Sequence, residues 1–425
     1  MESINKKWLG FIIPSNIAAE GLHTVIPLFV IRLGGGIGEV SVMIAIHYGA
    51  AALGSIFWGK ILDQYHAKKA ILLVSFSVIL LSCLWLYNTT KIEPLYIISP
   101  LTGFFLTARG QVTQMLVMET SPNNQWSKLF ARTSMLSTFG SLGAMVIGAV
   151  WSFYFDTRQY FMICALATAV SIAISLQISK THFHIERNTL VQSMHGVQHI
   201  FSHLRMHNHL YFPKVPELYD FKHIISLLKG NVSHEIGFLF LTNFLFYFGS
   251  NIYFTALTPF LKSFGLSDST VFLLYLLQTG TMAGFFFLAP KIITRVGEER
   301  STMVAYVPRI AGVVIAGSLA TLFIGSGLLA AAIASMCLMV VGFSIYSTSN
   351  SVLLFKAIPK GFEGTYLGVN SSMVGMGVFG GALTAGFVTR TFNYPATFLI
   401  SSLILFGSVV LFRMYLYHKL SGRIL

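Results

Sequence analysis

The chain has 425 residues, 54% of them hydrophobic and only 10% charged, with a mean hydropathy of +0.71. A soluble globular chain carries about 25% charged residues, so this composition excludes one and implies a chain that crosses a lipid bilayer many times. The formal net charge of +13 is spread over many short segments, which suits anionic lipid headgroups and leaves no contiguous basic domain for nucleic acid.

Twelve apolar runs are predicted to span, at approximately 8–31, 40–59, 70–88, 95–118, 131–154, 159–179, 236–261, 271–290, 302–323, 328–355, 365–389 and 394–417. At 1.5 Å per residue, about 20 residues cross a hydrocarbon core of roughly 30 Å. Residues 1–179 hold six runs and 236–425 the other six, with 180–235 joining them. Most of the 28 Lys and Arg fall in the segments on the side of the N-terminus. Arg32, Lys91, Arg158, Lys262 and Arg390 lie on the other side, and Arg109 and Arg309 lie within runs. Because Lys and Arg accumulate in cytoplasmic loops, both termini are expected in the cytoplasm, in a multi-pass protein of the cell membrane. Cys83, Cys164 and Cys337 fall inside runs, where free cysteine packs as a small hydrophobe.

The first run carries Asn16, Glu20 and His23, spaced by four and three residues and so on one helical face. Glu20 sits near the bilayer centre, where a carboxylate costs about 2.5–3.5 kcal/mol on insertion scales. It is therefore predicted to face a wet cavity and mark a pathway; the alternative is a buried carboxylate that locks helices together. The second run carries His47 at mid-depth, either a packing histidine or a proton group. A charged turn follows from Gly59 to Lys69, with Asp63 at the membrane boundary beside Lys68 and Lys69, where a carboxylate can dock on a helix N-terminus. The fourth run carries Arg109 within about one turn of the depth of Glu20 and His47. An acid, an imidazole and a base at one depth can exchange partners as protonation changes, or Glu20 and Arg109 can form a static pair.

Gly140 and Gly143 in the fifth run recur as Gly377 and Gly380 in the eleventh, 237 residues later, and Pro122 recurs as Pro359 at the same separation. The charged turn is echoed at Pro290 to Arg300, which holds Arg295 and Gly297. A chain that repeats its turns and glycines is read as a duplicated fold, and the glycines as tight helix crossings.

In the joining segment His195, His199, His203 and His207 stand at four-residue steps, interleaved with Val197, Ile200, Phe201 and Leu204. That is the pattern of a helix lying on the inner leaflet or of a metal or pH sensor; no metal site is assigned. The seventh run offers Asn243, Tyr247 and Asn251 at four-residue steps, the eighth Gln278, the tenth Tyr346 and Asn350. Neutral polar groups among aromatics suit an organic solute; a hydrogen-bonded helix interface is the other reading. Arg309, placed about 10 Å inside the ninth run, is predicted to snorkel to the interface as a structural residue.

The turn Gly59-x-x-x-Asp63-x-x-x-x-Lys68-Lys69, its echo and the six-plus-six layout together resemble the major facilitator superfamily of membrane transporters. Where that family's pattern has Arg and Gly after the Asp, this chain has Gln64 and His66. The echo keeps Arg295 and Gly297 but has Thr294 in place of the acid. The resemblance implies an all-α membrane protein of twelve transmembrane helices in two pseudo-symmetric six-helix bundles. It further implies that Asp63 holds a cytoplasmic gate shut near Gly364 to Tyr366. The expected function is secondary active transport of a small organic solute by alternating access, coupled to protons through Glu20, His23, His47 and Arg109. Asn16, Asn243, Tyr247, Asn251, Gln278, Tyr346 and Asn350 are the candidate substrate groups, and a monomer without cofactor is expected. A drug or metabolite exporter of the same superfamily is one alternative, and a non-transporting sensor acting through the histidine ladder is another. With no nucleophile elbow or phosphate loop, an enzyme is not expected.

Overall fold

The computed structural model describes residues 6–65, 67–120, 126–178, 234–322, 326–357 and 363–421. Every regular element among them is helical. The long helices are α1 (Ile12–Arg32), α2 (Ile37–Tyr65), α3 (Lys68–Asn88), α4 (Glu93–Thr120), α5 (Trp126–Tyr154), α6 (Tyr160–Ser175), α7 (His234–Ser263), α8 (Asp268–Val296), α9 (Glu298–Leu322), α10 (Ser326–Ala357), α11 (Glu363–Thr391) and α12 (Tyr394–Ser421). Short 3-10 turns precede α1 and α6. In lipid no water is at hand for a bare N–H or C=O, so an apolar run of this length closes its own hydrogen bonds as a helix.

Eleven of the helices are long and apolar enough to cross a membrane. The twelfth, α4, has the length but carries Thr102, Thr107, Arg109, Gln111, Thr113 and Gln114 through its middle. Its hydropathy falls because part of its surface meets a polar cavity rather than lipid.

The helices form two six-helix bundles. In the first, α1 packs on α5 and α6, α2 on α4, and α3 on α4 and α6; in the second, α7 packs on α11 and α12, α8 on α10, and α9 on α10 and α12. The glycine repeat marks equivalent crossings. A Cβ on Gly140 of α5 would stand 2.6 Å from the Ile13 carbonyl of α1, and one on Gly377 of α11 would stand 2.7 Å from the Phe244 carbonyl of α7. The two halves meet along α2 with α11 and α5 with α8.

Three expectations change. The stretch predicted as a turn from Gly59 to Lys69 is largely helical: α2 continues to Tyr65 and α3 begins at Lys68, so Gly59 and Asp63 belong to the last turns of a helix. Lys69 at the start of α3 donates to the Leu176 carbonyl after α6, which fastens this corner of the first bundle. In the echo the turn shrinks to Gly297, at φ +88, a left-handed conformation that favours glycine; Arg295 beside it is exposed. Third, Arg309 does not snorkel. Because α9 begins at Glu298, Arg309 is about 16 Å from that end, and it is 1% exposed. The side chains of Asp63 and of Gly364 to Tyr366, where the gate was expected, lie outside the described residues, as does the histidine ladder.

The contacts that close the seam between the bundles cluster on the face remote from the termini. Arg390 of α11 pairs with Glu39 of α2 at 2.5 Å. Thr157 donates to Asp268 at the head of α8, and Lys262 holds the other oxygen of that carboxylate at 2.7 Å. One turn deeper, the ring of Phe272 lies 5.5 Å from that of Tyr160. The Arg390–Glu39 and Thr157–Asp268 contacts, which join the two halves, are both on this face.

Candidate substrate pathway

Two cavities follow one another along the seam. The deeper one, about 230 Å³, lies between the bundles. Three helices build it with the same spacing: α1 contributes Glu20, His23, Thr24 and Pro27; α7 contributes Asn251, Phe254, Thr255 and Thr258; α8 contributes Tyr275, Gln278, Thr279 and Met282. Each is an i, i+3, i+4, i+7 stripe, the set that a single helical face presents. Tyr48 of α2 closes the ring.

Glu20 is half-buried and takes no hydrogen bond or ion pair from another described side chain. Its neighbours one turn on are engaged. The His23 Nε2 shares a short hydrogen bond with the Tyr48 hydroxyl, and the His47 ring lies edge-on to that of His23 at 5.9 Å between centroids. His47 Nδ1 is 3.0 Å from the Ser99 carbonyl. A carbonyl only accepts, so Nδ1 carries the proton and the tautomer of His47 is fixed. On the opposite wall Thr258 and Tyr275 bond each other through their hydroxyls at 2.8 Å. The Gln278 Oε1 is buried without a partner, an acceptor left open beside the cavity.

The second cavity, about 830 Å³, opens between the deeper one and the face that carries the termini. Asn16, Arg109, Thr113, Gln114 and Ser137 give it a polar wall, and Phe286 and Phe287 of α8 an apolar one. Asn16 is tied down, donating to the Ile12 carbonyl at 2.8 Å and to the Ser137 hydroxyl at 3.2 Å. Arg109 is loosely held: among the described residues its one side-chain hydrogen bond is a 3.5 Å approach to the Ser15 hydroxyl, at the limit of a hydrogen bond. The static Glu20–Arg109 ion pair weighed from sequence does not form.

The structure divides the other sequence candidates. Asn251 and Gln278 reach the deeper cavity. Asn243, Tyr346 and Asn350 instead meet one another in the buried core of the second bundle. The Asn243 Oδ1 accepts from the Tyr346 hydroxyl and from Asn350 Nδ2, each at 2.7 Å, and Asn243 Nδ2 donates to Asn370 at 2.7 Å. Tyr247 packs edge-on against Phe246 and Phe343. Deeper in this bundle the Arg309 guanidinium lies within 5.6 Å of the ring centres of Phe246, Phe254 and Phe343. It also donates to the Ser250 hydroxyl at 3.1 Å and to the Met339 carbonyl. Three ring faces, each worth about 0.5–2 kcal/mol to a cation, stand in for the water it has lost. Tyr48, Thr258, Tyr275 and Thr279 were not singled out from sequence. The signal was present in part: Thr258 lies seven residues from Asn251 and Tyr275 three from Gln278, while Thr279 and Tyr48 stand next to Gln278 and His47.

A membrane-spanning bundle made of two repeated halves, with a polar cavity at their seam, closed on one face and open towards the other, is the architecture of a membrane transporter. The chain belongs to the Major Facilitator Superfamily, whose family profile matches residues 3–369 and again 239–423. The double match restates the internal duplication. No curated protein matches it by sequence. Among solved structures it is similar to a point variant of the nucleoside transporter NupG, at 14% identity and TM-score 0.75 over 96% of this chain and 98% of that one. It is also similar to a D-xylose–proton symporter, at 14% identity and TM-score 0.70 over 96% and 95%. A third is a bacterial homologue of the iron transporter ferroportin in an inward-facing state, at 15% identity and TM-score 0.67 over 97% and 98%. The fold is shared across a nucleoside, a sugar and a metal, so it is the lining of the cavities that must carry selectivity.

Proposed function

We propose that this protein is a proton-coupled secondary transporter that moves a small organic solute across the cell membrane by alternating access. The observation that carries the reading is Glu20, an unpartnered carboxylate at mid-helix that lines a cavity shared by both bundles. An intramembrane acid without a partner is expensive unless it takes up a proton or meets a ligand. One site that can do both links the two events. His23 and Tyr48, hydrogen-bonded beside it, and His47 behind them extend the proton path. Asn251 and Gln278 supply amide groups for the solute from the other wall, and the Asn243, Tyr346 and Asn350 cluster supports that wall. With both termini in the cytoplasm, as the basic residues place them, the open cavity faces inwards and the closed face outwards. The protein acts as a monomer, because each chain contains both halves and a whole cavity. The D-xylose–proton symporter of the same fold makes proton coupling chemically ordinary here.

In proteoliposomes the Glu20→Gln variant is expected to lose uptake driven by an imposed pH gradient and to keep solute exchange at equal concentrations, since exchange needs the cavity and not the proton. Unchanged pH-driven uptake by this variant would abandon the coupling.

A further inference from the structure

The proposal concerns the sign of the solute's charge and rests on the transport reading above. Apart from the histidines His23 and His47, three side chains that carry a full charge at neutral pH in water stand well inside the spans: Glu20, Arg109 and Arg309. They are not equivalent. A carboxyl group becomes neutral by taking up a proton, whereas an arginine guanidinium stays charged in proteins. In a low-dielectric interior a permanent cation needs a permanent answer.

Arg309 has one. It is sealed at 1% exposure among three phenylalanine faces, a hydroxyl and a carbonyl, and no solute can reach it. Arg109 has none. Among the described residues its guanidinium, with up to five N–H donors, makes a single hydrogen bond, at 3.5 Å to Ser15. Glu20, near enough to influence it, forms no ion pair with it. Arg109 lines the cavity of about 830 Å³ on the side of the termini, and no Asp or Glu is among the described residues lining that space. Of the polar groups around it, Gln114, Ser134 and Ser137 can donate hydrogen bonds to an anion, whereas Thr113 and Thr138 already donate to the Arg109 and Ser134 carbonyls, and the apolar wall at Phe286 and Phe287 can take a hydrocarbon or ring. A single unpaired positive charge amid donors and an apolar wall describes a receptor for a monovalent organic anion.

We propose that the transported solute is an organic anion, and that its carboxylate docks on Arg109 in this vestibule when the cavity faces the termini. Two parallel N–H···O bonds from one guanidinium match a carboxylate. A phosphate dianion would leave one charge unanswered by a single arginine. Glu20, deeper along the same path, repels the bound anion until it is protonated, so anion and proton occupy the protein together.

The test is binding to the purified full-length protein in detergent, which needs neither gradient nor translocation. Melting temperature is followed against a panel of matched pairs: benzoate and benzamide, nicotinate and nicotinamide, lactate and lactamide, extended to longer acids, with inorganic phosphate alongside. The expected result is that at least one acid raises the melting temperature in a saturable way and its amide does not. Arg109→Gln is then expected to weaken that acid at least 100-fold, and Arg109→Lys, which keeps the charge and loses the fork, about 10-fold. Acids that do no better than their amides overturn the proposal, and so does a panel in which neither binds. Phosphate binding tighter than every acid overturns the choice of carboxylate. If Arg109→Gln does not fold, the acid–amide comparison on the native protein and the Arg109→Lys variant still decide. An anion that binds but is not taken up under a pH gradient would sink the coupled-transport reading and leave this site standing; uptake of a neutral solute would do the reverse.

Discussion

Arg309 shows how a residue's meaning turns on what surrounds it. In the sequence it is an arginine near a helix end; in the fold it is among the largest side chains fully sealed from solvent in the described residues. A buried cation is destabilising to desolvate and strongly held once its partners are in place, so the two ways of removing it differ. Methionine would fill most of the volume and leave both polar partners satisfied, because the Ser250 hydroxyl still donates to the Phe246 carbonyl at 2.6 Å and the Met339 carbonyl lies inside the backbone ladder of α10. Lysine keeps the charge but loses the planar stack on three rings and the forked donors. Arg309→Lys is therefore expected to melt below Arg309→Met, with Lys costing about 3 kcal/mol and Met within about 1.5 kcal/mol of the native protein. Thermal melting in detergent reads the order, and the reverse order would mean that the charge itself holds this bundle together. At this scale the sequence marked Glu20 through the cost of a carboxylate in lipid. It did not mark Tyr48, because a tyrosine costs little in either place and only the approach of α1 to α2 makes it the partner of His23.

Between helices, small residues act through distance. Gly140 and Gly143 belong to one repeated pattern and were read alike, yet α5 presents them differently to α1. A Cβ on Gly140 meets the Ile13 carbonyl and the Asn16 Cβ at 2.6 Å, whereas one on Gly143 meets only Ile17 at 3.6 Å. Backbone cannot yield as a side-chain tip can, so Gly140→Ala brings a strain of about 1–3 kcal/mol. Gly143→Ala brings ordinary contact and a gain of about 0.8–1 kcal/mol in helix propensity. The first variant is expected to melt below the native protein and the second at or above it. If both melt alike, the α1–α5 crossing is looser than the structure has it. The periodic glycines were legible, but which of them touches backbone depends on the rotation of α5 about its axis, and that is set by every helix it packs against.

For the molecule as a whole, transport requires that the closed face open. The ties across it are modest. Arg390 and Glu39 are 58% and 28% exposed, and such a pair contributes about 0.2–1 kcal/mol, roughly a fivefold change in an equilibrium at most. Asp268 adds a second tie through Thr157 while Lys262 steadies it. Neither Glu39→Gln nor Asp268→Asn alone is expected to move the balance far. Together they should enrich conformers open on this face several-fold, and the effect should shrink at high salt. Spin labels on the turns 88–93 and 391–394 would read this as a longer distance between the bundles. An unchanged distance distribution in the double variant would place the closing energy in apolar packing around Phe272 and Gly148 instead.

The sequence by itself determined the membrane, the number of spans, the duplication and the family, because these depend on composition and period, which survive without knowing where any helix lies. It also placed Glu20 and Arg109 at similar depth, since depth is only a count of residues along a helix. What the tertiary structure decided is which side chains meet. It separated Glu20 from Arg109, gathered Asn243, Tyr346 and Asn350 into a buried cluster and enclosed Arg309 in aromatic rings. It also left Arg109 facing an open vestibule. Depth is inherited from the chain, but partnership needs the azimuth of two helices at once, and that is fixed only when the bundle packs.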